Sequence, residues 1–324
     1  KNRLTQVEME SLPNYVGTSG ACAGCYEPLY VSKFLQLYPH TVISNATGCS
    51  SIWGAQAYET PYSSDKQGVG AAWVNPLFEN NAAVGGGLSL GMAQEADQMN
   101  VSGTYVANAL KDTPELLNNQ VAAKLLAQMT EMDELSQEKT MTLANRVEKV
   151  EFIQGIQRTI ADTLLLEQIK RDTKLHTHLA LLESTITSFL KPTTLIVGGD
   201  GWAFDIGLQM MIHILQSPLD VVVMVLVTDV YSNTGGQMSK ATPMGMDAPF
   251  APGGKQQHRF PLGLSVAYGD NAFVAQVNLA YPNQLISSYK RAAEFEGPSL
   301  LLCYVPCMTA QKFPASLVPD QANR

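Results

Sequence analysis

The sequence predicts an α/β fold with a doubly wound, mainly parallel sheet and a helical insertion. Residues 221–227 are a continuous run of β-branched and aliphatic residues, which is typical of a strand buried on both faces. From residue 191 onward, strand-like and helix-like segments alternate, as they do in parallel sheets. Residues 101–190 contain only Gly103 and Gly155 as glycines, and their apolar residues recur at helical spacing.

Three regions follow from this pattern. Region 1–100 predicts an initial loop over 1–19, a helix over 31–37, a strand over 41–44 and a turn or close-packing point at residues 85–87. Region 101–190 predicts two or three long helices, whose amphipathic spacing usually reflects packing rather than chemistry. Region 191–324 predicts strands over 194–197, 221–227, 273–277 and 299–304, helices over 205–216 and 287–296, a tight turn over 198–201 and a glycine-rich loop over 233–237.

Composition limits the classes of protein to which the chain can belong. Of 324 residues, 45% are hydrophobic and 15% are charged, which predicts extensive burial, and the net charge of −8 argues against a general nucleic-acid-binding surface. No apolar run reaches the length that a membrane span requires. Residues 1–5 lack the apolar core of a signal peptide, so we expect a subunit without targeting information or a piece of a longer chain.

A Gly-Asp-Gly sequence at residues 199–201 marks the first candidate site. It follows an apolar strand and precedes a predicted helix, so its backbone N–H groups can approach an anion closely. Asp200 lies where a carboxylate could bind a hard divalent cation such as Mg²⁺, which prefers oxygen ligands shared with phosphates. By itself, however, Gly-Asp-Gly is more often a simple turn.

The segment after the next strand supplies a second half of this site. Thr228 follows the carboxyl end of residues 221–227, and ligands of doubly wound sheets bind at that edge. The Thr228 hydroxyl and a nearby backbone carbonyl could complete a metal shell. Asn233 could donate a hydrogen bond to a diphosphate or to a substrate. The two segments together are more specific than either one alone.

The five cysteines suggest a metal site rather than a disulfide scaffold, because their number is odd and no secretion signal precedes them. Cys22 and Cys25 form a Cys-x-x-Cys pair, which can bind one metal centre through two thiolates. Cys49, Cys303 and Cys307 come from distant segments. From spacing alone, an iron–sulfur cluster, a zinc ion, a redox pair and buried hydrophobic thiols all remain possible.

Several longer strings resemble those of the pyruvate:ferredoxin oxidoreductases, and the pairing of Gly-Asp-Gly with an asparagine-bearing loop is the signature of thiamine-diphosphate enzymes. The strings are residues 20–25 (GACAGC), 45–53 (NATGCSSIW), 73–81 (WVNPLFENN), 198–207 (GGDGWAFDIG), 231–237 (YSNTGGQ), 239–243 (SKATP), 297–301 (GPSLL) and 304–307 (YVPC). The resemblance spans much of residues 20–90 and 195–310. It implies a thiamine-diphosphate-binding fold.

This resemblance implies a cofactor set. Its cluster ligands would be Cys22, Cys25, Cys49 and Cys307, which would bind a 4Fe–4S cluster, whereas Cys303 would be a core thiol in a strand. From its position in the sequence alone, Glu27 would be a surface glutamate. The resemblance implies instead that Glu27 lies against the thiamine cofactor.

The resemblance also assigns roles in the two loops. Asp200, Thr228 and the Val230 carbonyl would bind Mg²⁺ together with the diphosphate, and Asn233 would be catalytic. The complete set of predicted cofactor-binding residues is Glu27, Cys49, Gly199, Asp200, Gly201, Trp202, Thr228, Asp229, Val230, Tyr231, Ser232 and Asn233.

The implied activity is oxidative decarboxylation of pyruvate to acetyl-CoA and CO₂, with coenzyme A as co-substrate and with electrons passed to ferredoxin or flavodoxin. The family takes the glutamate that activates the cofactor, and the residues that bind the 2-oxoacid substrate, from other domains. We therefore expect further domains or subunits, and a homo-oligomer in the cytoplasm or in an anaerobic organelle. Neither nucleic acid nor a membrane span is expected.

Three alternatives remain open at this stage. The same chemistry could act on another 2-oxoacid, such as 2-oxoglutarate, oxalate or a branched-chain acid. A non-catalytic structural or electron-relay subunit is suggested by Tyr26, where the family usually has glycine, and by the unusual residues after Cys307. A zinc-binding protein without redox chemistry is the third alternative.

Overall fold

The computed structural model describes residues 13–17, 20–55, 63–66, 68–135 and 146–323, and a six-stranded parallel sheet organises much of them. The order across the sheet is β2-β1-β3-β4-β8-β7, and two short strands, β5 and β6, pair antiparallel beside it. This confirms the predicted α/β class with a parallel sheet. The strands are β1 (Thr41–Asn45), β2 (Ala72–Val74), β3 (Thr193–Gly199), β4 (Val222–Val227), β5 (Val230–Tyr231), β6 (Gln237–Met238), β7 (Phe273–Val277) and β8 (Ser299–Tyr304).

Helices make up much of the rest of the described chain. In none of them is there a segment long and apolar enough to cross a membrane. The helices are α1 (Glu27–Leu37), α2 (Cys49–Ala55), α3 (Asn81–Asp112), α4 (Pro114–Leu117), α5 (Gln120–Leu135), α6 (Arg146–Leu164), α7 (Glu167–Arg171), α8 (Thr173–Thr185), α9 (Leu208–Leu215), α10 (Leu262–Ala267), α11 (Pro282–Glu294), α12 (Met308–Gln311) and α13 (Val318–Asn323).

Two compact units are present, one within residues 1–89 and 193–324 and the other formed by residues 90–192. In the first unit, successive strand residues point to opposite faces of the sheet. Met224 of β4 belongs to the core that contains Phe34 of α1, whereas its neighbour Val223 belongs to the core that contains Trp202 and Ile214. Because both faces are covered, β4 consists entirely of buried apolar residues.

The second unit has a core of its own, formed by its helices. Among its buried residues are Met99, Val106, Leu110, Leu125, Ile153, Ile156, Ile160, Leu179 and Leu182. The predicted long helices are present as α3, α5 and α6, and the prediction missed the shorter helices α4, α7 and α8. Pro114 begins α4, because proline suits the first position of a helix. The Asp172 carboxylate accepts hydrogen bonds from the N–H groups of Lys174 and Leu175, which makes it an N-cap. The predicted insertion boundaries at residues 101 and 190 remain predictions, and most of the predicted initial loop lies outside the described residues.

The segment after β3 differs from its prediction. No tight turn forms over 198–201, because β3 continues through Gly199 and a π-helical segment, Gly201–Ile206, follows directly. The predicted helix over 205–216 is shorter and spans Leu208–Leu215. The glycines here make room for an indole: a Cβ at Gly198 would lie 2.4 Å from the Trp202 ring, and one at Gly207 would lie 2.2 Å from it.

β7 forms one edge of the sheet and pairs with β8 alone. Gln284 Nε2 donates a hydrogen bond to the Gln276 carbonyl at 2.7 Å. The Arg291 guanidinium lies 4.8 Å from the centroid of the Phe273 ring. Polar side chains of α11 therefore cover part of a strand whose backbone would otherwise be open to pairing.

The glycine triplet at residues 85–87 lies within α3, so the turn alternative is wrong and the close-packing alternative is confirmed. A Cβ at Gly85 would lie 2.4 Å from the Ile196 side chain of β3, and a Cβ at Gly86 would lie 2.6 Å from Ile214. Gly87 has nothing within 4 Å of the corresponding position. The helix therefore approaches the sheet closely through two of its three glycines.

Gly85→Ala should destabilise the protein by about 1–3 kcal/mol, because the new methyl group would overpack the contact with Ile196. Gly87→Ala is the matched control and should stabilise by up to about 1 kcal/mol, because alanine favours the helix and meets no neighbour. Urea-induced unfolding of both variants measures the difference. Equal effects of the two substitutions would contradict the packing described here.

Candidate functional site

A cleft lies at the carboxyl ends of β1, β3 and β4, which are neighbours in the sheet. It encloses about 510 Å³, including space open to solvent. Ligands of doubly wound sheets bind at this edge. The residues that line the cleft are Glu27, Thr47, Gly48, Cys49, Ser50, Phe78, Gly199, Asp200, Gly201, Thr228, Val230, Tyr231, Ser232, Asn233 and Thr234.

Oxygen atoms from the loops after β3 and β4 converge in this cleft. The Thr228 hydroxyl donates to the Val230 carbonyl at 3.0 Å, and the Ser232 hydroxyl donates to Thr228 Oγ1 at 2.6 Å. Asp200 Oδ1 accepts a hydrogen bond from the Thr228 N–H at 3.1 Å. The structure thus brings together the three residues predicted to bind Mg²⁺, and a cluster of hard oxygen atoms suits that ion.

Asp200 is almost completely buried, with 1% of its surface exposed. Burial raises the pKa of its carboxyl well above the ordinary value, and the charge of Asp229 raises it further. The Thr228 N–H and the charge of Arg259 act in the opposite direction. A cation in the cleft would favour the ionised carboxylate in the same way.

Gly201 allows the two loops to touch. A Cβ at this position would lie 2.2 Å from the ring of Tyr231, so any larger residue would force the loops apart. Burial raises the pKa of Tyr231, and the nearby Asp205 carboxylate raises it further through its charge and a hydrogen bond. The glycine is therefore needed for close approach between loops.

Two predicted cofactor-binding residues do not line the cleft. Trp202 is fully buried in the core beneath it, where its ring packs against Gly198 and Gly207. The Asp229 side chain turns away: it forms an ion pair with Arg259, and its Oδ2 lies 3.5 Å from Gln311 Nε2. Asp229 has a φ of 71°, a left-handed conformation that is uncommon outside glycine.

Glu27 lines the cleft from α1 and is 4% exposed. Its Oε2 accepts a hydrogen bond from the Trp53 indole at 2.9 Å. Burial raises the pKa of Glu27 from 4.5 to about 7, and the Trp53 hydrogen bond partly opposes that rise. The Glu27 carboxyl is therefore buried, whereas its position in the sequence alone suggested a surface glutamate.

The four predicted cluster cysteines share one neighbourhood. The Cys25 N–H donates to the Cys22 carbonyl at 3.0 Å, which closes a tight turn. Burial raises the pKa of Cys25 to about 12, and the charges of Glu27, Cys22 and Cys307 raise it further. Burial also raises the pKa of Cys49, with smaller contributions from the same neighbours. Within the described ranges, however, no three His, Cys, Asp or Glu side chains are close enough to hold a metal ion.

Cys303 lies apart from these four thiols. It is fully buried in β8, and its thiol makes a hydrogen bond with Tyr289 in the core. Burial raises its pKa well above the ordinary value. This position is that of the core thiol predicted for Cys303.

Sequence reasoning missed several residues of the site and its surroundings. Thr47, Ser50 and Phe78 lie within strings that resemble the family, so a signal for them was present. Arg259 and Gln311 carried no signal, because their partner Asp229 is 30 and 82 residues away in the chain. Only the fold brings these side chains together.

Comparison with known proteins finds a family that the second half of the sheet-containing unit resembles. Residues 186–303 match the family described as thiamine pyrophosphate enzyme, C-terminal TPP binding domain. These residues contain β3, β4 and the two loops whose oxygen atoms converge in the cleft. This part of the chain is therefore similar to the thiamine-pyrophosphate-binding domains of that family.

Curated relatives confirm the resemblance to pyruvate oxidoreductases. The chain is 38% identical over 293 residues to pyruvate:ferredoxin oxidoreductase of Moorella thermoacetica, covering 90% of this chain and 23% of that protein. It is 37% identical over 291 residues to probable pyruvate-flavodoxin oxidoreductase of Escherichia coli, with 89% and 22% covered. It is 36% identical over 315 residues to pyruvate-flavodoxin oxidoreductase of a Nostoc species, with 94% and 24% covered. The chain is thus related to about a quarter of each of these oxidoreductases.

A solved structure supports the fold alone. The 2-oxoglutarate:ferredoxin oxidoreductase from Magnetococcus marinus, with 2-oxoglutarate, coenzyme A and succinyl-CoA bound, superposes with a TM-score of 0.51. The match covers 98% of this chain and 80% of that chain at 15% sequence identity.

Trp53→Phe tests the environment of Glu27. Because the folded pKa of Glu27 is raised from 4.5 to about 7, the unfolded chain loses this proton first, and stability falls as pH rises through that window. The indole hydrogen bond offsets part of the fall, so its removal should cost about 1–3 kcal/mol above about pH 7 and less near pH 5. Urea unfolding at both pH values measures the difference.

Trp73→Phe is the matched control for that substitution. Trp73 packs edge-on against Trp53 at 5.9 Å between ring centroids, but its N–H donates to the neutral Asn75 side chain. Its cost should therefore be the same at both pH values. A pH-independent effect of Trp53→Phe would show that the indole does not stabilise an ionised Glu27.

Proposed function

We propose that this chain is the thiamine-diphosphate- and 4Fe–4S-binding part of a 2-oxoacid:ferredoxin oxidoreductase that converts pyruvate to acetyl-CoA and CO₂. The observation that carries the proposal is the convergence of Asp200, Thr228 and Val230 oxygens in a cleft that also contains Glu27 and Cys49. The names of the relatives support pyruvate as the substrate.

The cleft fits a diphosphate with its metal ion. Asp200, the Thr228 hydroxyl and the Val230 carbonyl would hold Mg²⁺, and Gly199 and Gly201 line the same cleft, where their backbone could approach phosphate oxygens. When bound, thiamine diphosphate supplies the carbanion chemistry needed to decarboxylate a 2-oxoacid.

Other residues of the cleft would orient the cofactor and substrate. Asn233 carries an amide that can donate to a phosphate oxygen or to the substrate. Glu27, on the α1 side, can accept or donate a hydrogen bond near pH 7 because its pKa is about 7. The Phe78 ring supplies an apolar wall that reduces access of water.

Cys22, Cys25, Cys49 and Cys307 would bind the cluster, since thiolates are the usual ligands of 4Fe–4S clusters. The raised pKa values of Cys25 and Cys49 mean that binding of iron would have to displace protons from these two thiols. Cys49 also lines the cleft, so a cluster held there would lie next to the bound cofactor, where it could receive electrons.

Further parts of the enzyme complete the proposal. We expect other domains or subunits of the same oxidoreductase, coenzyme A as acyl acceptor, ferredoxin or flavodoxin as electron acceptor, and a homo-oligomer. The fraction of each relative that the chain spans supports the need for other domains. An anaerobic assay of pyruvate-dependent, CoA-dependent reduction of ferredoxin on the intact protein tests the activity as a whole.

Asp200→Asn should weaken Mg²⁺-dependent binding of thiamine diphosphate by at least about 100-fold, because it removes a charged metal ligand. Asp205→Asn is the matched control: Asp205 lies in the same π-helical segment, but its carboxylate pairs with Lys240 at 3.2 Å. That control should bind within about threefold of the unmodified protein. Isothermal titration calorimetry measures both, and equal losses would argue against Asp200 as a metal ligand.

Cys307→Ser should abolish the 4Fe–4S cluster, whereas Cys303→Ser should keep about four iron and four sulfide per chain, because Cys303 lies in the core. Iron, labile sulfide and zinc are measured on anaerobically purified protein. Zinc in place of iron would refute the electron-transfer function. A cluster without bound thiamine diphosphate would instead favour the non-catalytic relay subunit.

A further inference from the structure

The Ser239-Lys240-Ala241-Thr242-Pro243 segment has no role in the site as described so far, yet it lies directly behind the oxygen cluster. Ser239 and Thr242 are buried, with 4% and 0% of their surfaces exposed. The Thr242 hydroxyl donates a short hydrogen bond to the backbone carbonyl of Asp229, and it accepts one from the Ser239 N–H at 2.9 Å. Ser239 Oγ lies 3.5 Å from Asp200 Oδ2.

A buried lysine holds this segment in place. The Lys255 ammonium donates to the carbonyls of Ser239, Lys240 and Thr242 at 3.0, 3.2 and 2.8 Å. Lys255 is 6% exposed, and a buried ammonium is stable only if all its donors are satisfied. Three carbonyl acceptors satisfy the three N–H donors of this group.

The backbone around Lys255 is itself fixed. The Gly245 N–H donates to the Lys255 carbonyl at 2.8 Å, and the Lys255 N–H donates to the Met246 carbonyl at 3.0 Å. Gly254 has a φ of 98°, and a Cβ there would lie 2.7 Å from the Gly245 carbonyl oxygen. The lysine therefore projects from a hairpin-like support, and its ammonium has a defined position.

We propose that Thr242 and Lys255 are positioning residues for the Mg²⁺–diphosphate site. Asp229 stands between Thr228 and Val230, and its left-handed φ of 71° is the bend that brings the Thr228 hydroxyl within 3.0 Å of the Val230 carbonyl. The Thr242 hydrogen bond holds the carbonyl of that strained residue, and Lys255 holds the Thr242 loop. This inference rests on the proposed function, since it assigns these residues to the same site.

Thr242→Val and Thr242→Ser separate this role from simple packing. Valine keeps the shape but leaves the Asp229 carbonyl without its hydroxyl donor, whereas serine retains the hydroxyl. In the intact protein, calorimetric titration with Mg²⁺ in the presence of thiamine diphosphate should show about tenfold weaker binding for Thr242→Val and a change within about threefold for Thr242→Ser. Binding of thiamine diphosphate without Mg²⁺ should change much less.

Lys255→Met tests the role of Lys255, and Lys240→Met is the control for the loss of one positive charge. Both remove one positive charge from the same region, but the Lys240 side chain is 56% exposed and its ammonium pairs with Asp205 at 3.2 Å. Lys255→Met should weaken Mg²⁺ binding at least about tenfold, and Lys240→Met should change it by less than about twofold. If Lys255→Met does not fold, the two Thr242 variants decide the question.

The outcomes are distinct. The Thr242→Val variant could melt at a lower temperature and still bind Mg²⁺ and thiamine diphosphate like the unmodified protein. That result would overturn the positioning role and leave the proposed function intact. Equal weakening by valine and serine would overturn it as well. If the unmodified protein itself fails to bind thiamine diphosphate with Mg²⁺, the proposed function and this inference both fall.

Discussion

Burial of the Asp200 carboxylate is the constraint on which the rest of the site depends. An ionised carboxylate inside a protein is costly unless it is paired or hydrogen-bonded. Here its surroundings include the Thr228 N–H, the Ser239 hydroxyl and, at longer range, the Arg259 charge. The charge of Asp229 acts in the opposite direction and raises the pKa of Asp200. The proposed Mg²⁺ would offset the cost of burying this carboxylate.

Strand order makes this arrangement possible. β1, β3 and β4 are adjacent and parallel, so the loops after them end at the same edge of the sheet. Gly201 lets two of the loops touch, and the Thr242 loop supports one of them from behind. The side chains that would bind the cofactor come from short segments, but their relative positions depend on the whole sheet.

The sequence predicted the parts of this fold whose signal is local. A run of buried aliphatic residues marks β4, and the strings around Asp200 and Asn233 mark the two loops. Contacts made by tertiary packing carried no such signal. The ammonium of Lys255, for example, meets its carbonyl partners only after the chain has folded. The glycine triplet in α3 could likewise be assigned to packing only once Ile196 was opposite it.

The covered edge at β7 has a consequence for handling the molecule. Exposed edges of sheets are templates on which another copy can add a strand, and this is a common route to aggregation. At β7 the Gln284 amide donates a hydrogen bond to a backbone carbonyl, and the Arg291 side chain lies over Phe273. At the opposite edge, β2 has only three residues, too few to offer a long template. Addition of a further strand is thus disfavoured at both edges of the sheet.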